Sequence, residues 1–124
     1  MSGSYVYFIY EAGCFNKFKI GNSINPEKRL KSLQTGNSRI LKIYKTIPCV
    51  SKKYSENLEG AMHIHYLSSC QGGEWFSITP EDIDQCIAVA KYMSDNDFPA
   101  CLFEDVWKHH HSQKKHEIPY IPVV

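Results

Sequence analysis

The sequence lacks a long apolar run and a Cys-x-x-Cys pair. No stretch approaches the roughly 18 consecutive apolar residues that a membrane span needs. Residues 1–4 do not resemble the charged and apolar regions of a signal peptide. Five widely spaced cysteines, an odd number, favour free thiols over a disulfide framework or a Cys-rich zinc site. We therefore expect an intracellular protein, cytoplasmic or nuclear and not secreted, with no membrane partner.

Net charge is also nearly absent, because the formal total is only +1. The total hides a division along the chain. Residues 17–53 contain ten basic residues and one acid, which gives +9, whereas residues 54–107 contain ten acids and one lysine, which gives −9. If the fold keeps these segments on different faces, one face is strongly positive and attracts phosphate. Alternatively, ion pairs between the two segments cancel the field.

What the chain does contain is a set of short, well-marked elements. Its 43% hydrophobic residues suffice for one core. The β-branched and aromatic run over residues 5–10 and the alternating residues 15–21 predict an antiparallel hairpin. A third strand is predicted over residues 39–47.

Helix signals follow these strands. Asn25 as an N-cap and Pro26 at the first helical position predict a helix that Gly36 can end. Apolar residues at helical spacing predict a second helix over residues 55–67. Thr79 followed by proline and acids predicts the start of a third. The pattern places one domain at residues 1–97 and a C-terminal extension at 98–124, which either packs on the domain or forms a loose tail.

Several motifs become informative only when they are considered together. Alone, a strand Tyr, a helix Arg or a helix Glu is more often structural or a solvated surface charge. Here they occur in a fixed order along the chain: Val6-Tyr7, Lys19-Ile20-Gly21, Arg29, Leu58-Glu59-Gly60-Ala61-Met62-His63 and Gly73-Glu74-Trp75-Phe76.

In this order the motifs resemble the GIY-YIG nuclease superfamily over roughly residues 5–76. The chain is most similar to a branch common in phages and large viruses, whose second motif reads Lys-Ile-Gly and which carries a Gly-Glu-Trp-Phe motif. The resemblance implies an α+β fold with a three-stranded antiparallel sheet flanked by helices. The strand and helix order predicted above agrees with that fold.

The resemblance also implies a divalent-metal-dependent DNA endonuclease. Tyr7 would be the general base for the attacking water, and Arg29 would stabilise charge on the phosphoryl group. Glu59 would hold a single Mg²⁺ or Mn²⁺. The expected DNA-binding residues belong to the basic segment: Lys17, Lys28, Lys31 and Arg39.

Two residues have more than one open role. Lys19 stands where most of the superfamily has a second Tyr, so it either lowers the pKa of Tyr7 or binds phosphate. His63 lies one helical turn after Glu59, and we favour a catalytic role over an ordinary helix pair with that Glu. Trp75 is predicted to be core or a wall of the site, in preference to a base-stacking platform.

Two departures from the superfamily pattern support a different function. The second Tyr is missing, and no residue matches the Asn that often closes the site. The alternative is therefore a catalytically weak or inactive DNA-binding module of the same fold. A third hypothesis is a protein-interaction domain that uses the acidic C-terminal half. Because the sequence shows no zinc finger, helix-turn-helix or comparable recognition module, we expect low sequence specificity, or targeting supplied by a protein partner, by self-association or by an unusual DNA structure.

Overall fold

The first three strands follow the pattern of the sequence. A computed structural model of the chain describes residues 3–111. Strands β1 (Ser4–Glu11) and β2 (Phe18–Ser23) form the predicted antiparallel hairpin. Strand β3 (Leu41–Cys49) pairs antiparallel with the other edge of β1. The α+β class and the antiparallel sheet are thus confirmed.

The predicted number of strands is wrong, because the sheet has five strands and not three. Strands β4 (Cys70–Gly72) and β5 (Trp75–Phe76) form a short hairpin, and β5 pairs with β2 to give the order β3-β1-β2-β5-β4. The turn between them uses Gly72 and Gly73 at φ values of 130° and 58°, which glycine adopts without a Cβ clash. Strands this short have no alternating pattern, so the sequence indicated only a break and an extended segment.

Side-chain caps determine where the helices begin. The helices are α1 (Pro26–Gln34), α2 (Lys52–His65) and α3 (Pro80–Asp95). Asn25 caps α1 as predicted, and Thr79 forms a reciprocal capping box with Asp82 at the start of α3. Helix α2 begins three residues earlier than predicted because the Ser51 hydroxyl accepts from the Tyr54 N–H at 3.0 Å. No helix among residues 3–111 is long and apolar enough to cross a membrane.

The two faces of the sheet are covered unequally. On one face, α2 and α3 enclose the main core. On the other face, Leu30 and Leu33 of α1 pack against a smaller cluster of Tyr7, Ile9 and Leu41. Helix α1 lies over β1, β3 and β2, whereas the principal neighbours of β5 are β2 and β4. The face that carries Tyr7 therefore continues beyond α1 onto β5.

The chain after α3 contributes to the main core. A 3₁₀ turn at Ala100–Leu102 leads into a helical stretch over residues 103–111. Ala100 and Phe103 are 3% and 0% exposed and belong to the core cluster, and Trp107 packs against it. Residues 98–111 thus pack on the domain. The rest of the extension, 112–124, lies outside the described residues.

We expect Phe103→Ala to lower the free energy of unfolding by about 3–5 kcal/mol, because it removes a fully buried aromatic side chain and leaves a cavity. Urea denaturation followed by circular dichroism measures the change. Leu67→Ala is the control, since Leu67 is 68% exposed and its truncation should change stability by less than about 0.5 kcal/mol. Equal effects of the two substitutions would contradict the packing of residues 98–111.

Candidate active site

Tyr7 and Gly21 form the centre of the candidate site. They are directly opposite each other in the β1–β2 pair, so their Cα positions share a face of the sheet. The Tyr7 ring lies across Gly21, where an added Cβ would stand only 2.3 Å from both Cζ and Oη of Tyr7. Position 21 therefore requires glycine, because any side chain there would overlap the Tyr7 ring. It lets the Tyr7 hydroxyl reach from β1 over β2.

The Tyr7 hydroxyl lies in a mixed electrostatic environment. The side chain is 1% exposed, and burial raises the pKa of the phenol above its ordinary value. Hydrogen bonding with the Arg29 guanidinium lowers this pKa, whereas the charges of Glu74 and Glu59 raise it. Arg29 is therefore the cation that most directly favours the phenolate, and it does so from α1.

Glu59 lies on α2, and its charge acts on the Tyr7 phenol. Its residue exposure is only 9%, and both carboxylate oxygens have protein partners. Asn22 Nδ2 donates a hydrogen bond to Oε1, and His63 Nε2 lies 3.3 Å from Oε2. Burial raises the pKa of Glu59, while the Asn22 hydrogen bond lowers it. The carboxylate is held in one orientation and is protonated more readily than an exposed Glu.

His63 places one ring nitrogen between two acceptors. Its Nε2 lies 2.8 Å from the Ile20 carbonyl oxygen as well as 3.3 Å from Glu59. Both neighbours are acceptors, so Nε2 must carry the hydrogen and donate. That nitrogen cannot accept a proton from a substrate. The hydrogen bond to Ile20 instead ties the Glu59 helix to β2.

Lys19 lies on the Tyr7 face but contacts an acid. Its Nζ is 3.1 Å from Glu74 Oε1, and it stands 5.8 Å from the centroid of the Trp75 ring. Because the Glu74 charge raises the pKa of Tyr7, neutralising Glu74 favours the phenolate. The structure thus gives Lys19 an indirect route to Tyr7, through Glu74.

The predicted DNA-binding residues differ in their distance from Tyr7. Lys28 and Arg29 line an open groove of about 400 Å³ at the start of α1. Lys31 is exposed farther along the same helix. Arg39 is exposed in the loop after α1 and lies 3.8 Å from Glu11. Lys17 stands over the Trp75 ring at 5.4 Å, on the far side of the site.

Ion pairs cancel little of the charge division seen in the sequence. Within residues 3–111, the bridges that join the basic and acidic segments are Lys19–Glu74 and Lys45–Asp84. Lys28 and Lys31 of α1 have no carboxylate within ion-pair distance in this part of the chain. Most of the basic residues in segment 17–53 therefore keep their charge unpaired by the acidic segment within residues 3–111.

Most of the residues predicted for the site lie near one another in the structure, and Asn22 joins them. Those that converge around Gly21 are Tyr7, Lys19, Arg29, Glu59 and His63. Asn22 was missed, although it follows Gly21 directly. Strand alternation turns it to the opposite face, toward α2, where it meets Glu59. The alternation of side chains along β2 was the sequence signal that could have predicted the position of Asn22.

A single carboxylate, that of Glu59, suits a cation that keeps most of its bound waters, such as Mg²⁺, better than a metal ion that protein side chains surround completely. Residues 3–111 contain no group of three or more His, Cys, Asp or Glu side chains that could hold a metal. Glu59 is a single carboxylate fixed by Asn22 and His63. Mg²⁺ keeps several waters and is commonly bound through one or two carboxylates together with substrate phosphate. Glu59 therefore fits such an ion and does not fit zinc.

Comparison with known proteins gives one family. The model of the T5orf172 domain matches residues 4–91, which include every residue of the candidate site. No curated protein and no solved structure matches the chain. The matched region covers all five strands and most of the three capped helices. The chain therefore belongs to the T5orf172 domain family, a phage-associated domain that is a nuclease-like or DNA-binding module.

Proposed function

We propose that this protein is a divalent-metal-dependent DNA endonuclease of GIY-YIG type. The observation that carries the proposal is the convergence of Tyr7, Arg29 and Glu59 around Gly21, from β1, α1 and α2. Phosphodiester hydrolysis needs a proton acceptor for water, a cation for the phosphoryl charge and a site for the leaving oxygen. These three side chains supply the three functions.

Arg29 and Tyr7 act together in this proposal. Arg29 is permanently charged and exposed toward the groove, so it can contact non-bridging phosphate oxygens as their charge grows. Tyr7 accepts the proton of the attacking water. Because burial raises its pKa, the phenolate depends on Arg29 and on the neutralisation of Glu74 by Lys19.

Glu59 is the residue that would hold Mg²⁺ or Mn²⁺. When bound, such an ion stabilises the charge that develops on the leaving 3′ oxygen. Asn22 and His63 orient the Glu59 carboxylate beforehand, so that little side-chain freedom is lost on binding. In this arrangement His63 is a positioning residue.

The basic surface of α1 supports DNA as the partner. Lys28 and Lys31 lie on the helix that carries Arg29 and have no carboxylate partners among residues 3–111. Positive charges of this kind bind phosphates without reading sequence. We therefore propose that Lys28 and Lys31 hold the DNA backbone while Arg29 engages the scissile phosphate.

The test is a cleavage assay on supercoiled plasmid and branched DNA with Mg²⁺, Mn²⁺ or EDTA. Tyr7→Phe should lower cleavage by about a hundredfold or more, because it removes the proton acceptor and leaves the ring on Gly21 in place. Tyr44→Phe is the matched control: it removes a hydroxyl that bonds Asp84, away from the site. A Tyr7→Phe variant as active as wild type would exclude Tyr7 as the base.

A second candidate function is a DNA-binding module without catalysis. It is favoured by the raised pKa of Tyr7 together with the Lys that replaces the second Tyr of the superfamily. In that case the wild type would not nick DNA with either metal, yet its DNA affinity would fall steeply with salt. Metal-dependent nicking that EDTA abolishes would rule this function out.

A further inference from the structure

Trp75 extends the floor of the candidate site beyond α1. In the β2–β5 pair it is directly opposite Lys19, which in turn is opposite Ile9 of β1. Paired positions share a face, so Trp75 lies on the face that carries Tyr7. The indole is half-buried and packs against the Tyr7 and Ile9 cluster. Its remaining surface is exposed beside the cluster that contains Tyr7.

Two lysines place their ammonium groups over this indole. The ammonium groups of Lys17 and Lys19 stand 5.4 Å and 5.8 Å from the ring centroid of Trp75. Glu74 pairs with Lys19 at 3.1 Å, whereas Lys17 has no carboxylate partner among residues 3–111. An aromatic ring flanked by cations is the combination by which proteins hold single-stranded nucleic acid, since the base stacks and the phosphates meet the cations.

The position of this surface relative to Tyr7 suits a neighbouring nucleotide. Lys19 is two residues before Gly21 on β2, a separation of about 7 Å along the strand. Lys19 also contacts Glu74, whose charge acts on Tyr7. One DNA strand can therefore place its scissile phosphate at Tyr7 and an adjacent base at Trp75.

We propose that Trp75, Lys17 and Lys19 form a subsite for an unpaired nucleotide next to the scissile phosphate. This inference rests on the proposed nuclease function and names its substrate class: DNA with a single-stranded segment at the cleavage point. Within a continuous duplex both faces of each base are covered by neighbouring bases, so stacking on Trp75 requires a base outside the duplex stack. Flaps, forks and gaps supply such a base. The sequence had favoured core or a wall for Trp75.

The test uses the fluorescence of Trp75 in the absence of divalent metal. The chain has two tryptophans, so Trp107→Phe leaves Trp75 as the only one. Titration of this variant with a short oligothymidylate should quench its emission to saturation, because a stacked base quenches indole. A duplex of equal length should produce less than about a fifth of that quenching. Trp75→Phe, in which Trp107 alone emits, should show no quenching.

Affinity measurements add a quantitative readout. By fluorescence anisotropy of labelled DNA, Trp75→Leu should weaken binding of oligothymidylate by about tenfold and binding of duplex by less than about twofold. Tyr92→Leu is the matched control, since Tyr92 is 43% exposed on α3, away from this surface. Circular dichroism verifies folding. If Trp107→Phe does not fold, the difference in quenching between wild type and Trp75→Phe gives the same information.

Three outcomes would overturn the subsite: no quenching of Trp75, equal quenching by duplex, or equal weakening by Trp75→Leu and Tyr92→Leu. These measurements need no cleavage, so they test the subsite independently of the proposed nuclease activity. Quenching of Trp75 without cleavage would leave the subsite and overturn the endonuclease. Cleavage without quenching of Trp75 would support the endonuclease and overturn the subsite.

Discussion

Glu59→Gln should lower metal-dependent DNA cleavage by at least about a hundredfold, because an amide replaces the carboxylate proposed to hold the cation. DNA affinity measured without metal should stay within about twofold, since the phosphate contacts assigned to α1 are unchanged. Gln retains an oxygen for the Asn22 hydrogen bond. Its amide group faces a donating His63 Nε2, so a modest loss of stability is expected as well.

The control for this substitution lies on the same helix. Glu56→Gln makes the same chemical change at an exposed position of α2 and should leave cleavage within about twofold of wild type. Isothermal calorimetry with Mn²⁺ separates binding from chemistry, and Glu59→Gln should abolish the binding heat. Cleavage retained by Glu59→Gln, or lost equally in Glu56→Gln, would remove Glu59 as the metal ligand.

Gly21→Ala should affect folding and activity together. The new Cβ would stand 2.3 Å from the Tyr7 ring, which is 1% exposed and cannot move aside without disturbing its neighbours. Overpacking of this kind costs about 1–3 kcal/mol. We also expect cleavage of branched DNA to fall about a hundredfold, because relief of the clash displaces the Tyr7 hydroxyl from Arg29.

A second glycine gives the matched control for Gly21→Ala. Gly60 lies within α2, and an added Cβ there meets nothing within 4 Å. Gly60→Ala should therefore raise the free energy of unfolding by about 0.5–1 kcal/mol, since alanine favours the helix. Chemical denaturation compares the two variants. A Gly21→Ala protein as stable as wild type would show that the Tyr7 ring does not depend on the space above this glycine.

Much of the fold was predictable because several of its helices and strands are determined by residues close together in the sequence. The caps at Asn25 and Thr79 act within a single turn of helix, so they are visible in sequence. The long β1 strand has enough residues to display its apolar and aromatic pattern. The grouping of Tyr7, Arg29 and Glu59 in one site was predicted from the resemblance that their order along the chain carries.

The remaining features depend on pairings between distant residues. The β4–β5 hairpin exists because β5 finds the free edge of β2, and strands of three and two residues carry too few positions to reveal that pairing. The Lys19–Glu74 bridge follows from the same pairing, so the sequence alone did not indicate that Lys19 contacts an acid. Asn22, on strand β2, was missed because its partner Glu59 is 37 residues away on helix α2.

Helix α1 has a consequence for the motions of the site. It has nine residues, none of them fully buried, whereas α2 and α3 each bury several side chains. A helix of that length is marginal alone, and segments with few buried contacts open locally at low free energy. Arg29 therefore stands on the least anchored helix, and Glu59 on a firmly held one. A phosphate that contacts Arg29 should therefore stabilise the packing of α1 on the sheet, so the observed affinity for DNA includes the free energy that keeps α1 closed.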